Sequence, residues 1–263
     1  MTLGRVRGLV IDLDGCVYVG DRPVEGAAEA IKQLRRIGVG VVFMTNNSTL
    51  TRRQYVEKLS RMGVEAYFEE VLTSGVVAAR FIASRQPGSR CLAVAEDGFT
   101  LEAQPLGLRV IDPSEWRRAD YVVVGLDRRL SYEKLAKAAL AIRAGAFFLA
   151  TNLDNVYPSE DGFQPGAGSI AALLSTATGV QPYSVGKPSK EMSTQALELL
   201  RLPADEVVFV GDRVDTDVAA ARAVGCRSIL VKTGAYSLFS KGTAEADLVV
   251  ESIAKVPEVL SVK

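Results

Sequence analysis

Residues 6–15 read VRGLVIDLDG, a short apolar and β-branched run that ends at two aspartates, Asp12 and Asp14. A continuous apolar run of this length is typical of a strand that is buried on both faces of a parallel sheet. Because side chains alternate along a strand, the two carboxylates point to the same side and Leu13 points away. The run therefore predicts a buried first strand with two acidic groups at its carboxyl end.

Three later apolar runs end in polar residues in the same way. These polar stretches are Thr45-Asn46-Asn47, Gly186-Lys187-Pro188 and GDRVDTD at residues 211–217. Between the runs, apolar residues recur at helical spacing, as at Ala27, Ile31 and Leu34. This alternation of strands and helices predicts an α/β fold with a parallel sheet and right-handed crossovers. Because ligands collect at the carboxyl ends of the strands in such a sheet, the polar stretches predict one shared site.

The same patterns predict individual elements along the chain. Strands are predicted at residues 6–11, 41–44, 70–73, 91–95, 108–111, 121–126, 146–151, 183–185, 207–210, 229–231 and 248–250. Helices are predicted at residues 24–37, 76–83, 132–144, 169–177, 190–200 and 216–224. A further helix is predicted to be N-capped by Ser48 or Thr49 and to end at Gly63, and residues 152–168 are predicted to form a loop.

The spacing of the motifs predicts the domain organisation. Thr45 and Lys187 must meet at one site, yet about 140 residues separate them, far more than the roughly 30 residues of a βαβ unit. The surplus is long enough to form a domain of its own. We therefore predict a discontinuous core, residues 1–80 and 183–263, with a smaller α/β cap domain inserted at residues 81–182.

The composition excludes several classes of function. Lys and Arg together equal Asp and Glu at 31 each, so the charge favours neither nucleic acid nor a membrane surface as a partner. The absence of His excludes a Ser-His-Asp triad and a His-ligated zinc. No apolar run approaches the roughly 20 residues that span a bilayer. The residues after Met1 lack a signal-peptide layout, so a cytoplasmic location is expected. Cys91 and Cys226 are predicted to be small buried hydrophobic residues.

The acidic residues at the strand ends predict a metal site. Two unit charges about 4 Å apart repel by roughly 4 kcal/mol at an effective dielectric of about 20, and Asp212 adds a third charge to Asp12 and Asp14. A cation relieves this repulsion, and a donor set of oxygens alone favours Mg²⁺. The alternative is that the aspartates are helix caps and solvated loop ends, which explains any single one better than it explains the set.

Together, the strand-end DLDG at residues 12–15, Thr45, Lys187 and GDRVDTD at residues 211–217 resemble the haloacid dehalogenase-like (HAD) phosphatase superfamily. More narrowly, the strings FMTNNST, VVVGLDRRLSYEKL, VGKPS and VGDRVDTDV resemble its NagD-like, p-nitrophenyl phosphatase and phosphoglycolate phosphatase branch, which has a C2-type cap. The resemblance spans nearly the whole chain. It implies a Rossmann-like, three-layer parallel-sheet core with the inserted cap.

The resemblance also implies a role for each matched residue. Asp12 would be the nucleophile, and Asp14 the acid that protonates the leaving group and then the base that activates water. The implied phosphate-binding groups are Thr45, the Asn46 amide and Lys187. The implied metal ligands are Asp12, the Asp14 carbonyl and Asp212, with Asp217 either beside the ion or hydrogen-bonded behind its ligands. In the cap, Tyr157 falls where relatives vary with substrate, so it is expected to contact the substrate or to pack between cap and core.

The predicted function is therefore the Mg²⁺-dependent hydrolysis of small-molecule phosphomonoesters through an aspartyl-phosphate, with a homodimer through the cap as the expected assembly. Three alternatives use some of the same residues. A receiver-like signalling domain has strand-end aspartates, but it leaves the insertion and the acid–base group Asp14 unexplained. A phosphotransferase would pass the phosphoryl group to an acceptor other than water. A non-hydrolytic protein would bind the phospho-ligand without turning it over.

Overall fold

The computed structural model describes residues 5–159, 162–236 and 246–260. It divides into two compact units: residues 1–45, 53–72 and 187–263 form the first unit, and residues 46–52 and 73–186 form the second. The predicted boundary after residue 80 would cut a helix that begins at Ser74 and lies wholly in the second unit. The core and cap domains, as independently folding parts, stay a prediction.

The chain alternates strands and helices. The strands are β1 (Gly8–Asp12), β2 (Tyr18–Val19), β3 (Arg22–Pro23), β4 (Gly40–Thr45), β5 (Val71–Thr73), β6 (Arg90–Val94), β7 (Arg109–Ile111), β8 (Tyr121–Val124), β9 (Phe147–Ala150), β10 (Val156–Ser159), β11 (Gly162–Pro165), β12 (Tyr183–Ser184), β13 (Val207–Gly211), β14 (Arg227–Val231) and β15 (Leu248–Val250). The α-helices are α1 (Ala27–Arg36), α2 (Arg52–Arg61), α3 (Ser74–Arg85), α4 (Asp97–Ala103), α5 (Tyr132–Arg143), α6 (Ala167–Thr178), α7 (Lys190–Leu200), α8 (Ala219–Ala223) and α9 (Val256–Leu260).

The first unit is built on a six-stranded sheet in the order β15-β14-β13-β1-β4-β5. β1 pairs in parallel with β13 on one side and with β4 on the other, and all five of its residues are buried. A strand covered on both faces needs apolar side chains throughout, which explains the uninterrupted run Leu9-Val10-Ile11. The predicted buried first strand is confirmed, with its first residue at Gly8.

The second unit has its own five-stranded parallel sheet in the order β12-β9-β8-β6-β7. Buried side chains of β6, β8 and β9 pack with those of α5 and α6 in one apolar core, which includes Val94, Val124 and Leu174. Both sheets thus follow the alternation of apolar runs and helical spacing. The predicted α/β class with parallel sheets is confirmed.

Two local predictions are wrong. The second helix begins at Arg52, and neither Ser48 nor Thr49 caps it: the Ser48 hydroxyl shares a hydrogen bond with Thr151, and the Thr49 hydroxyl donates to Asn47. Residues 152–168 contain the antiparallel hairpin β10–β11 in place of a plain loop. The helix predicted at residues 216–224 is present: a π-helical turn at residues 214–218 continues directly into α8.

Two further predictions concern burial and membrane insertion. Cys91 and Cys226 are buried free thiols, as predicted, and so is Cys16. Among the described residues, no helix combines the length and the apolar character that crossing a bilayer requires.

Candidate active site

The centre of the first unit's sheet brings two of the predicted acidic residues together. β1 and β13 are neighbours, and the chain leaves β1 toward β4 on one side and β13 toward β14 on the other. The strand order therefore reverses between β1 and β13, which is the position where open α/β sheets bind ligands. Asp12 is the last residue of β1, and Asp212 directly follows β13.

Three buried carboxylates and one buried ammonium meet at this point. One oxygen each of Asp12, Asp212 and Asp217 lies within 4.8 Å of the others. Lys187 Nζ donates to Asp12 Oδ1 and, at 2.7 Å, to Asp217 Oδ1. Each of these four residues is less than a tenth exposed. We call this group the acidic cluster: its three carboxylates and one ammonium carry a formal net charge of −2 when all are ionised.

Backbone groups hold Asp212 in place. Its Oδ2 accepts a hydrogen bond of 2.6 Å from the Ala235 amide, and the Thr233 hydroxyl donates to the Gly15 carbonyl over 2.6 Å. A Cβ atom added to Gly15 would lie 2.2 Å from Asp212 Oδ2, and one added to Gly234 would lie 2.4 Å from the same oxygen. Gly15 also has a φ of +93°, which favours glycine. Side chains at either position would therefore displace the carboxylate.

The segment Thr233-Gly234-Ala235 is a part of the site that the sequence analysis missed. A signal was present, because Thr-Gly follows the apolar run that ends at Val231, in the same way that polar residues follow the other strands. The group of this segment that bonds Asp212 is the backbone amide of Ala235. Backbone groups leave no residue-type signature in a sequence. The segment therefore shows its role only through its position beside Asp212.

Asp217 is oriented by the turn that carries it. Its Oδ2 accepts a hydrogen bond from the Arg213 amide over 3.1 Å, which leaves Oδ1 for Lys187. Residues 214–218 form the π-helical turn, a feature found frequently at functional sites. The Arg213 guanidinium forms an ion pair with Asp215 over 2.7 Å. Asp215 therefore has a partner outside the acidic cluster.

The protonation of the cluster shows that it suits a cation. Burial raises the pKa of Asp12 well above its usual value although Lys187 opposes this, and burial with the charge of Asp217 raises the pKa of Asp212 to about 7. Burial disfavours the charge on Lys187, but Asp12 and Asp217 outweigh it and raise the pKa of the ammonium. Without a cation, Asp12 and Asp212 therefore keep their protons to a higher pH than an exposed aspartate does. A donor set of oxygens alone with net negative charge fits a hard divalent ion.

Asp14 lies outside the acidic cluster. Its side chain is half-buried, and burial raises its pKa while the nearby Gly20 amide and the charge of Lys58 oppose the rise. Its backbone bridges to Tyr18, the first residue of β2. Asp14 and Asp12 are two residues apart in sequence but have different surroundings. Different surroundings allow two carboxylates to take different chemical roles.

Thr45 and Asn46 are divided between the units. Thr45 is the last residue of β4 and is buried, and the β1–β4 register pairs Asp12 with Met44, so Thr45 lies one residue beyond that pair. Asn46 begins a segment of the second unit. Its carbonyl accepts hydrogen bonds from the Ser74 hydroxyl and the Asn152 side-chain amide, at 2.6 and 2.7 Å. Its own side chain donates to Asp154 over 2.9 Å.

Tyr157 lies in the second unit, on β10. It is half-buried and stands opposite Gln164 of β11, whose side-chain oxygen accepts a hydrogen bond from the tyrosine hydroxyl. Gln164 therefore gives the Tyr157 hydroxyl a hydrogen-bond partner within the second unit. Contact of Tyr157 with a substrate stays a prediction.

Comparison with known proteins agrees with this geometry. Residues 9–109 match the family model of haloacid dehalogenase-like hydrolases, and residues 184–256 match a HAD-hydrolase-like model. The chain is 41% identical over 232 residues to an acid sugar phosphatase of Staphylococcus aureus, covering 88% of each chain.

Solved structures give the same result. A p-nitrophenyl phosphatase from Archaeoglobus fulgidus superposes with a TM-score of 0.91 and is 35% identical, covering 97% of this chain and 100% of that one. A glycerol phosphate phosphatase from Mycobacterium tuberculosis, in complex with magnesium, has a TM-score of 0.87 and 35% identity, covering 98% of this chain and 77% of that one. The resemblance drawn from the four motifs is confirmed: the chain belongs to the haloacid dehalogenase-like hydrolase family and is a phosphatase.

Proposed function

We propose that this phosphatase hydrolyses small-molecule phosphomonoesters with Mg²⁺ and through a phosphorylated Asp12. The observation that carries the proposal is the acidic cluster, in which Asp12, Asp212 and Asp217 are buried around the ammonium of Lys187 at the point where the strand order reverses. Burying net negative charge costs free energy unless ligands compensate it. A phosphate ester together with a divalent cation supplies that compensation.

Asp12 is proposed as the nucleophile. Its carboxylate oxygen forms a bond to phosphorus while the bond from phosphorus to the ester oxygen breaks, which leaves an aspartyl-phosphate and an alkoxide. Water then attacks phosphorus, breaks the bond to Asp12 and releases inorganic phosphate. Splitting one displacement into two in this way is the usual gain from a covalent intermediate. Lys187 donates to Asp12 Oδ1, so the ammonium favours the ionised form that attacks.

Asp14 is proposed as the acid and base. In the first step it gives its proton to the leaving oxygen, and in the second it takes a proton from the attacking water. Burial raises the pKa of its carboxyl, so the protonated form is more available than in an exposed aspartate. Replacing Asp14 with Asn should slow alkyl phosphates more than p-nitrophenyl phosphate, because nitrophenolate leaves with little need of a proton; equal losses on both esters would contradict this role.

The remaining residues are proposed to bind charge. Lys187 and the Thr45 hydroxyl bind the phosphoryl oxygens, and the Asn46 amide is proposed to join them. Asp12, Asp212 and Asp217, with the Asp14 main-chain carbonyl, would hold the Mg²⁺. When bound, the ion neutralises negative charge on the phosphoryl oxygens. Stabilising this charge is most of what phosphoryl transfer requires of a protein.

The proposed substrate class is small phosphorylated metabolites, sugar phosphates included. Support comes from the names of the similar proteins, which are an acid sugar phosphatase, a p-nitrophenyl phosphatase and a glycerol phosphate phosphatase. Tyr157 is proposed to contribute to the choice among these esters. Exchanging Tyr157 for Phe would test this, since it keeps the ring and removes the hydroxyl that donates to Gln164.

The decisive experiment measures phosphate release from a panel of phosphomonoesters with Mg²⁺ and with EDTA, for the wild type and for Asp12→Asn. Turnover that needs the metal and disappears in the variant is expected. No release from any ester by the wild type would contradict hydrolysis and favour a phosphotransferase or a non-hydrolytic binding protein. Release by the variant at the wild-type rate would remove Asp12 as the nucleophile.

Assembly and location are predictions of a coarser kind. A homodimer through the second unit is proposed from the family resemblance, and sedimentation of the purified chain tests it. A cytoplasmic location is likewise proposed, and fractionation of cells that express the tagged chain tests that.

A further inference from the structure

The short hairpin β2–β3 follows directly after Asp14. Tyr18 pairs with Pro23 and Val19 with Arg22, which leaves Gly20 and Asp21 as the turn. At its base the hairpin is hydrogen-bonded to the loop that carries Asp14. The Gly15 amide donates to the Tyr18 carbonyl over 2.6 Å, and Asp14 forms a β-bridge to Tyr18. The backbone of Asp14 and the hairpin therefore form one hydrogen-bonded piece.

The base of the hairpin is also bonded to the residue before Asp14. The Val17 and Tyr18 amides both donate to the Leu13 carbonyl, at 2.9 and 3.2 Å. Leu13 and Gly15, the two neighbours of Asp14 in the chain, are therefore both hydrogen-bonded to the hairpin. The position of the hairpin thus determines the position of the backbone that carries the Asp14 carboxyl group.

Lys58, from α2, holds this tip. Its Nζ donates to the Gly20 carbonyl over 2.8 Å, lies 4.2 Å from the centre of the Tyr18 ring, and is 3.2 Å from Asp21 Oδ1. The Lys58 side chain is 17% exposed, whereas that of Asp21 is 97% exposed. An ion pair with so exposed a partner contributes little, so the carbonyl and the ring are the contacts that matter.

The helix that carries Lys58 is well anchored in the first unit. Tyr55 and Leu59 of α2 are buried, and Tyr55 precedes Lys58 by about one helical turn. Tyr18, beneath the ammonium, is 2% exposed. A helix, a buried ring and the hairpin tip are thus connected through one ammonium group.

We propose that Lys58 is a positioning residue for Asp14: it fixes the β2–β3 hairpin at its tip and over the Tyr18 ring, and the backbone bonds between the hairpin and residues 13–15 then place the Asp14 carboxyl group for proton transfer to the leaving group. This rests on the proposed function, in which Asp14 protonates that group. Lys58 itself touches neither the acidic cluster nor the reacting atoms in this assignment. Its effect therefore depends on how much the leaving group needs a proton.

The kinetic test compares Lys58→Met with the wild type on two esters. Methionine keeps a flexible apolar stem over Tyr18 and removes the ammonium. We expect kcat for glycerol phosphate, whose alkoxide needs a proton, to fall about 10-fold or more, and kcat for p-nitrophenyl phosphate to fall less than about 3-fold. Lys58→Arg, which keeps a cation and donors, should recover part of the loss on glycerol phosphate.

The matched control is Asp21→Asn, which removes the exposed ion pair but leaves the Gly20 contact. It should keep kcat for both esters within about 2-fold of the wild type, as expected for an exposed pair. Equal losses on the two esters in Lys58→Met, or the same ester dependence in Asp21→Asn, would overturn the proposal. A general loss of stability lowers both rates together and so cannot imitate the expected split.

A second measurement is independent of catalysis. Hydrogen exchange of the peptides that cover residues 17–24 should become faster in Lys58→Met and stay unchanged in Asp21→Asn, since exchange reports local opening. Unchanged exchange in Lys58→Met would remove the hairpin contact from the proposal even if the enzyme turns over normally. Absence of phosphate release by the wild type from both esters would instead remove the proposed function, and the acid role of Asp14 with it.

Discussion

The two units share an architecture but differ in how their carboxylates are compensated. In each, a parallel sheet ends in polar residues at the carboxyl side of its strands. Two acidic groups of the second unit have cations of their own: Glu96 after β6 pairs with Arg128 at 2.7 Å, and Asp127 after β8 pairs with Lys134 at 2.5 Å. In the first unit, the one ammonium of Lys187 pairs with both Asp12 and Asp217, and Asp212 accepts from the Ala235 amide.

The difference separates carboxylates that the fold itself satisfies from carboxylates for which a ligand is proposed. A carboxylate with its own cation and backbone donors is satisfied by the fold itself, as Asp127 is by Lys134 and the Arg129 amide. The acidic cluster is left with a net negative charge that the described residues do not balance. Groups whose pKa is strongly shifted by burial and neighbouring charge are typical of functional sites. The four predictions below test this contrast.

The largest effect is expected from Asp12→Asn. The amide has the shape of the carboxylate but cannot attack phosphorus, so kcat should fall by about 10³-fold or more while the fold stays intact. Phosphate release and circular dichroism of the purified variant measure the two parts. An intact spectrum with turnover near that of the wild type would show that the acidic cluster is not the catalytic centre.

A cation should stabilise the first unit specifically. A ligand at about 100 times its Kd adds about 2.7 kcal/mol to the free energy of unfolding. Thermal unfolding of the wild type should therefore shift upward in Mg²⁺ relative to EDTA, and Asp212→Asn should lose most of the shift. Asp127→Asn, which removes a paired carboxylate of the second unit, should be less stable but keep the shift. A shift that Asp212→Asn retains in full would place the ion elsewhere.

Without metal, the acidic cluster should make stability fall as pH rises. The pKa of Asp212 is raised from 3.8 to about 7 in the folded chain, first by burial and then by Asp217. Between these values the folded state binds more protons than the unfolded state, so the free energy of unfolding decreases with pH.

Urea unfolding in EDTA measures this as a difference between the wild type and Asp212→Asn. From about pH 4 to pH 7 the wild type should lose stability relative to the variant. Adding Mg²⁺ should abolish that trend, because the ion competes with the proton. A relative stability that rises over the same range would contradict the assigned charge state.

In the second unit, the contribution of an acidic group to stability should change with pH in the opposite direction, and this is the smallest of the four expected effects. The Arg90 guanidinium lowers the pKa of Asp120 below 3.8, and the pair is partly exposed, at 2.7 Å. The pair stabilises the fold at pH values above the pKa of Asp120 in the unfolded chain. This stabilisation is lost as pH falls through the pKa of Asp120 in the folded chain. Asp120→Asn should cost about 1 kcal/mol at neutral pH and less in acid, by urea unfolding. A cost that grows on acidification would be the contradictory result.

Much of the fold followed from local patterns in the sequence. Uninterrupted apolar runs such as Leu9-Val10-Ile11 identified strands that are buried on both faces, and the helical spacing of Ala27, Ile31 and Leu34 identified α1. Both patterns arise because a buried face must be apolar. The hairpin β10–β11 was missed because its residues alternate weakly and include Pro158 and Gly162, which are typical of loops.

The candidate site also contains residues that the sequence patterns identified and residues that they missed. Asp12, Lys187, Asp212 and Asp217 were found because their chemistry is carried by side chains at recognisable positions. The Ala235 amide and the Gly20 carbonyl were not, because every residue offers such groups. Lys58 looked like any surface lysine, and its contact with Tyr18 joins residues that are far apart in sequence.

The sequence by itself determined the fold class, the family and the residue types of the site, because hydrophobic periodicity and motif spacing are local properties of the chain. The tertiary structure decided what surrounds those residues. It places three carboxylates around one ammonium in the first unit, gives each of the compared carboxylates of the second unit its own cation, and connects Asp14 through the β2–β3 hairpin to Lys58. Burial and electrostatic pairing depend on distances in space, which a linear sequence does not contain.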